Sequence, residues 1–351
     1  MLSYVIVGSG YRAQYFARVA QTYPRLFRAL FLCRSEEKAL RMRRETGVDA
    51  VLTAAEAEAF QPDFIVVAVD RGHVADVTAE WAQRGYPVVA ETPAGASMAQ
   101  LERLWRLHLE TGARIVCCEQ YHRHPVLAAG FEAVARGDIG EPQSAYLSLV
   151  HDYHAASLIR RLLRVEGERY TLRAVRQTSM ARATDSRYGA ILDGSAVEEE
   201  RTLAHIAFES GKTAVYDFAP LQYRSYIRAR HLTVRGSAGE WSDRVVMGLD
   251  GDNQPRRTFL MDELPAAYRC LDTQALRDAR KTWQPELFLD TLHDEYAIAT
   301  ILMDMARYIA GGPSPYSLPE ALDDAYFWLL VERAAQSPWT AIESERVPWR
   351  E

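Results

Sequence analysis

The chain has 351 residues, of which 48% are hydrophobic and 25% charged, a globular composition that excludes a disordered or fibrous protein. At about 100–200 residues per domain, this length corresponds to two domains. The balance of 41 Lys+Arg against 47 Asp+Glu gives a formal charge of -6 and no footprint for nucleic acid, and apolar runs such as Phe64–Val69 fall far short of the ~20 residues of a membrane helix.

In chain order, residues 1–120 alternate short apolar strands with amphipathic helices, the pattern of a doubly wound parallel sheet. Strands are expected at Ser3–Val7, Arg28–Cys33, Phe64–Val69, Val88–Ala90 and Arg114–Cys118. Helices are expected between them at Ala13–Thr22, Glu36–Thr46, Val74–Arg84 and Met98–Thr111, with Gly47 and Gly112 as stops. After His124-Pro125 longer alternating segments take over, at Gln143–Val150, Thr202–Phe208, Thr213–Phe218 and Ile227–Arg235, which read as an antiparallel sheet. Helical patterns at Phe288–Ile309 and Leu318–Ala335 follow. The start runs into a strand with no basic segment or cleavage site, so the expectation is a cytoplasmic protein. Cys33, Cys117, Cys118 and Cys270 lack metal-ligand spacing, and reduced, mostly buried thiols with no metal site are expected.

Val5-Ile6-Val7-Gly8-Ser9-Gly10-Tyr11-Arg12-Ala13 is a strand, a G-x-G-x-x-A loop and a helix start. The glycines permit a tight turn and close backbone approach, while the free amides of the helix N-terminus suit a pyrophosphate, so Gly8, Gly10, Tyr11, Arg12 and Ala13 are expected to bind a dinucleotide. An acidic residue for the adenine ribose is missing after the second strand, where Cys33-Arg34-Ser35 stands instead. Arg34 and Ser35 suit a 2′-phosphate, which favours NADP, with NAD as the alternative.

Taken with Ala90-Glu91-Thr92-Pro93, Val69-Asp70-Arg71-Gly72-His73, Gln120-Tyr121-His122-Arg123-His124-Pro125 and the closing Ser317–Ser337 segment, the chain resembles the glucose-fructose oxidoreductase, inositol dehydrogenase and MocA (Gfo/Idh/MocA) family over nearly its whole length. The resemblance implies an α/β chain. A Rossmann domain over 1–120 would precede a substrate-binding and oligomerisation domain over 121–351, built on a large open, mostly antiparallel sheet with the C-terminal helices packing back. It also implies a nicotinamide cofactor, a sugar or polyol as small-molecule substrate, a homo-oligomer such as a dimer or tetramer, and Gly8, Gly10, Arg12, Ala13, Arg34, His73, Glu91 and Gln120 near the cofactor. The family commonly has Glu-Lys-Pro where this chain has Glu91-Thr92-Pro93, and a threonine does not titrate near neutral pH. His122 likewise stands where the family has an arginine.

His151-Asp152-Tyr153-His154 opens an amphipathic helix, and His154 resembles the family's catalytic histidine. A histidine suits proton exchange with a substrate hydroxyl near neutral pH. Asp152, Tyr153 and Thr92 complete the candidate catalytic set, Asp152 as the residue that orients or balances the charge of the site. The competing reading makes His151 and His154 a solvated helix start capped by Asp152. Eight arginines in residues 151–190 (Arg160, Arg161, Arg164, Arg169, Arg173, Arg176, Arg182 and Arg187) suit an anionic substrate or, equally, solvated faces and salt bridges. Tyr188, Tyr223 and Tyr226 are candidates for stacking on a sugar ring. The leading function is NAD(P)-dependent hydride transfer at a secondary carbinol of a sugar derivative. A redox-neutral lyase or hydrolase cycle through a keto sugar, and a non-catalytic dinucleotide-binding protein, are the alternatives.

Overall fold

In the computed structural model, which describes residues 1–186, 189–260, 268, 270–271 and 293–350, the apolar runs of the first part pair into one parallel sheet. Its strands are β1 (Leu2–Val7), β2 (Phe27–Leu32), β3 (Ala50–Val51), β4 (Phe64–Val67), β5 (Val88–Ala90) and β6 (Ile115–Cys117), in the order β3-β2-β1-β4-β5-β6. Every residue of β4 is buried, because helices cover both faces of the sheet. These helices are α1 (Tyr11–Thr22), α2 (Glu36–Thr46), α3 (Ala54–Ala59), α4 (Val74–Gln83) and α5 (Met98–Thr111). Ser35 and Ser97 cap α2 and α5 through their side chains, and Gly47 and Gly112 end them with φ of 65° and 67°. The sequence reading missed β3 and α3, which are too short to show a period, although Thr53 and Glu56 form a capping box.

The chain leaves this sheet through a 3-10 turn at Tyr121–Arg123 and α6 (Pro125–Arg136). The next elements are β7 (Pro142–Ser148), α7 (Asp152–Leu163), β8 (Tyr170–Arg182), β9 (Asp185–Ser186), β10 (Gly189–Ala190), β11 (Ala196–Phe208), β12 (Thr213–Phe218), β13 (His231–Gly236), β14 (Gly239–Ser242), β15 (Val245–Leu249) and β16 (Pro255–Phe259). With β17 (Ile342–Glu343) they form a nine-stranded sheet in the order β16-β15-β14-β13-β7-β12-β11-β8-β17, while β9 and β10 form a separate hairpin. Only the β7–β12 pair is parallel, so the sheet is mostly antiparallel, as the second half of the sequence suggested. The long β8 was not foreseen: six arginines of the 151–190 cluster lie on or beside it or on α7, and its pattern reads as charged rather than alternating.

Two helices return to the first sheet. Helix α8 (His293–Ile309) packs on α1, and α9 (Leu318–Ala335) packs on α5, α7 and β8. Residues 288–292 of the expected penultimate helix lie outside the described residues. Among the described residues, no helix is long and apolar enough to cross a membrane.

Gly130 in α6 shows how closely the two layers meet, since a Cβ there would come 2.0 Å from the Trp241 ring. Trp241 is fully buried and its Nε1 donates to the Asp243 carbonyl at 2.7 Å, so the ring cannot swing aside cheaply. Alanine would gain about 1 kcal/mol in helix propensity, but overpacking costs about 1–3 kcal/mol. Gly130→Ala is therefore expected to lower the urea midpoint of unfolding; an unchanged or raised midpoint would show that Trp241 yields.

Candidate functional site

Loops at the carboxyl ends of the parallel strands bring the candidate groups together, as open α/β sheets do. Gly8 follows β1 with φ 136°, and a Cβ on it would lie 2.2 Å from the Ala68 carbonyl oxygen at the end of β4. Only glycine fits that approach. Gly10 is the N-cap of α1 and supplies no side-chain cap, so the first amides of α1 are left for a ligand, and Ala13 is buried beneath the loop. A dinucleotide pyrophosphate fits this cradle by size and by dipole.

Arg12, one residue into α1, crosses to Glu91 after β5 (Nε–Oε1 2.9 Å) and to Asp294 in the first turn of α8 (Nη1–Oδ2 3.2 Å), with its guanidinium over the Tyr15 ring. His124 holds the other Asp294 oxygen through Nε2 at 2.9 Å. Burial opposes charge on Asp294, but the His124 hydrogen bond and Arg12 bring its pKa down to about 2. With its amide turned so that oxygen faces donors and nitrogen faces acceptors, Gln120 donates to the Cys118 carbonyl at 2.8 Å and accepts from Arg12 at 3.2 Å. Arg34 is exposed at the end of β2, Ser35 caps α2 by accepting from the Lys38 amide, and His73 is exposed at the start of α4. Tyr11 is bonded to Tyr15 (2.8 Å) and receives Arg224 (3.3 Å).

Helix α7 supplies the second group. His154 Nδ1 lies 2.5 Å from Oε2 of Glu119, and both residues are buried. Among the described residues, His154 Nε2 has no hydrogen bond. Desolvation pushes the Glu119 carboxyl up to about 8, against the pull of the Tyr121 amide, and pushes His154 well below the usual imidazole range. The carboxylate on His154 is thus Glu119, a residue the sequence reading passed over, and not Asp152. Its signal was available: an acid two residues beyond a buried parallel strand stands where such sheets bind ligands. Asp294 was missed for the opposite reason, since nothing in its helix pattern marks it.

His151 stands edge-on to His154, with ring centroids 4.8 Å apart. Its Nδ1 is 2.5 Å from the Tyr223 hydroxyl and its Nε2 is 3.3 Å from the Tyr153 hydroxyl. The Thr92 hydroxyl donates to Glu91 at 3.3 Å. No side chain caps α7: Asp152 has φ 47°, its amide donates to the Tyr216 hydroxyl at 3.1 Å, and burial raises its carboxyl to about 6. Beside these groups lies a cavity of about 690 Å³ walled by Arg71, His151, Asp152, Tyr216, Tyr223 and Trp328 among others. That volume is in the usual range for a small-molecule site.

Most of the arginine cluster faces internal carboxylates. Arg160 pairs with Asp323 and Asp324, Arg161 with Glu320, Arg164 with Glu141, Arg169 with Glu209, and Arg176 with Glu332. Arg187 and Tyr188 lie outside the described residues. Tyr223 meets His151 with its hydroxyl, and Tyr226 is partly exposed away from that contact. His122 is half-buried with its ring against Tyr316. Among the described residues no group of three His, Cys, Asp or Glu could hold a metal ion.

A comparison with curated protein sequences finds no match. Solved structures are similar in fold. An NAD-binding oxidoreductase from Klebsiella pneumoniae is 15% identical, with a TM-score of 0.71 over 99% of this chain and 100% of that one. An oxidoreductase from Agrobacterium radiobacter in complex with NAD+, L-tartaric acid and magnesium is 13% identical, with a TM-score of 0.70 over 97% and 98% of the two chains. The WlbA dehydrogenase from Bordetella pertussis in complex with NADH and UDP-GlcNAcA is 15% identical, with a TM-score of 0.66 over 99% and 98%. Residues 2–118 match the model described as an oxidoreductase family with an NAD-binding Rossmann fold. The glycine cradle and the parallel strand order agree with this match to the Gfo/Idh/MocA oxidoreductase model, which covers residues 2–118.

Proposed function

We propose that the protein is an NAD(P)-dependent oxidoreductase acting on a secondary carbinol, or the matching ketone, of a sugar derivative, with His154 handling the proton. The observation that carries this reading is the buried Glu119–His154 pair, which among the described residues leaves Nε2 without a hydrogen bond, while Arg12 and Glu91 are near enough to act on the ring electrostatically. When bound, the nicotinamide supplies or accepts a hydride. Gly8, Gly10 and the α1 amides would hold its pyrophosphate, while Arg12, Glu91 and Gln120 order the loop ends. Tyr153 stands against His154, Thr92 is bonded to Glu91, and Asp152 faces the cavity that would take the substrate. A sugar derivative fits the size of that cavity and accompanies the cofactor in one structure of similar fold.

Burial sets the proton inventory of the pair. Below about pH 8 the Glu119 carboxyl is protonated and donates to Nδ1, so the ring hydrogen sits on Nε2, ready to be given to a carbonyl oxygen. Above it the carboxylate accepts from Nδ1–H and Nε2 becomes a base for an alcohol. Oxidation is thus expected to rise, and reduction to fall, as pH passes through about 8. In Glu119→Gln that titration should vanish; the same inflection in the variant would assign it to another group.

The substrate is sought by measuring absorbance at the nicotinamide band with a panel of sugars, polyols and their uronic acids. His154→Ala should abolish the turnover found while leaving cofactor affinity unchanged, and undiminished turnover would remove its role. Leaving-group release without net change in the cofactor would instead identify a redox-neutral cycle.

NADP is the proposed cofactor. Cys33-Arg34-Ser35, directly after β2, holds no acid, Arg34 is exposed there, and Lys38, Arg41 and Arg43 all bear on the neighbouring Cys33 thiol. In a titration followed by fluorescence, NADPH should bind more tightly than NADH, and Arg34→Ala should erase about tenfold of that preference, equivalent to about 1.4 kcal/mol. Tighter NADH binding by the unaltered protein would assign NAD.

A further inference from the structure

We propose that Asp152 is a substrate-binding residue whose carboxylate, turned into the cavity by a left-handed backbone, accepts hydrogen bonds from the hydroxyls of an uncharged sugar or polyol. The inference rests on the oxidoreductase reading above and adds to it the charge of the substrate and a residue that holds it.

An aspartate at a helix start ordinarily turns back to bond a free backbone amide. Asp152 does not: no side chain caps α7, and the residue stands at φ 47°, where side chains other than glycine's are uncommon. Two tyrosines pin the backbone there. The Tyr223 hydroxyl accepts from the His151 amide at 3.0 Å, and the Tyr216 hydroxyl accepts from the Asp152 amide at 3.1 Å. Strained positions of this kind cluster at ligand sites, where the surroundings hold a side chain in a direction it would not otherwise take.

The carboxylate held in this way has few partners. Among the described residues its one hydrogen bond is a long one, from the Tyr216 hydroxyl to Oδ1 at 3.5 Å, and it makes no ion pair. A carboxylate offers about four acceptor positions, of which Tyr216 takes one. Asp152 lines the cavity together with His151, the ring that stands edge-on to His154.

The charges on the cavity wall select among ligands. Arg71, Arg176 and Arg224 stand there with Asp152, Asp185, Glu200 and Glu332. Arg176 is taken up by Glu332 at 2.6 Å and Glu200 at 3.3 Å. Arg71 lies over the Trp328 ring, and Arg224 donates to the Ser186 carbonyl and the Tyr11 hydroxyl. Among the described residues the wall therefore carries no positive excess, and a carboxylate or phosphate on the substrate would meet the open acid of Asp152. Hydroxyls suit the wall better, because they donate to Asp152 and accept from Arg71 or Arg224. Phe218 and Trp328 add apolar surface for the C–H face of a ring.

The test combines urea unfolding of the protein without ligand and kinetics on the compound that the nicotinamide screen finds best. Asp152→Asn keeps the size of the side chain and tolerates left-handed dihedrals, so it should leave the urea midpoint unchanged or raise it; Asp152→Gly, with no Cβ to strain, should raise it. Both should raise KM about tenfold and lower kcat far less. Burial and Glu332 push the Asp152 carboxyl up to about 6 against Arg71, Arg176 and the Tyr216 hydroxyl. In the unaltered protein KM should thus fall as pH rises through about 6 and the better acceptor forms, a change absent in Asp152→Asn. The screen should also turn over uncharged sugars or polyols in preference to their uronic acids.

A lowered midpoint in both variants would make Asp152 a residue of the helix start and overturn the proposal whatever the screen finds, and a preference for uronic acids would overturn it too. If His154→Ala abolishes turnover but Asp152→Asn leaves KM intact, the oxidoreductase reading stands and this inference fails. A raised KM in Asp152→Asn with turnover surviving in His154→Ala would sustain this inference and remove His154 from the reading.

Discussion

The half-buried guanidinium of Arg12 is the constraint on which the site depends. Even partial removal of such a charge from water is costly unless it is paired with good geometry, and the fold brings two carboxylates to it. They come from far away in sequence: Glu91 is 79 residues distant and Asp294 is 282. Asp294 sits in the first turn of α8, where the helix dipole favours an anion, and His124 from the crossover takes its second oxygen. The cofactor loop, the end of β5, the crossover and a C-terminal helix are thus tied into one unit by charge. Helix α8 packs against α1, which carries Arg12.

A second buried network holds α7, which carries the histidines. Arg160 near its C-terminal end bonds Asp323 at 3.1 Å and also Asp324, and Asp323 accepts from Trp349 and Arg350 as well. Tyr316 donates to Ser157 at 2.9 Å in the middle of the helix, while Tyr216 and Tyr223 bind its first backbone amides. The helix is held along its length, which keeps His154 on Glu119 and His151 on its two tyrosines. The same low dielectric that makes unpaired charges costly raises Glu119 to about 8 and leaves His154 neutral. Rigidity and acid–base tuning therefore share one cause, the exclusion of water from between the two sheets.

Much of the first sheet was legible in the sequence because its strands are buried on both faces and read as unbroken apolar runs, such as Phe64–Val67. Helices with a serine cap and a terminal glycine were legible to the residue, as in Glu36–Thr46 and Met98–Thr111. The elements that escaped were those with weak local signals. Strand β3 has two residues, and β8 carries Arg176, whose counter-charges Glu332 and Glu200 lie on α9 and β11. An arginine bonded to Glu332 and an arginine in water look alike in a sequence, so the cluster over 151–190 could not be read as internal pairing.

The sequence by itself determined the dinucleotide loop, because Gly8 and Gly10 act through local backbone geometry within one strand–turn–helix unit. It also marked His154 and Thr92 as positions of interest. Which carboxylate meets His154, which residues orient His151 and Tyr153, and what balances Arg12 were decided only by the tertiary structure. Glu119 is 35 residues from His154, Tyr223 is 72 from His151, and Asp294 is 170 from His124. Those contacts join elements far apart in the chain, and hydrogen bonds across such distances leave no periodicity to read.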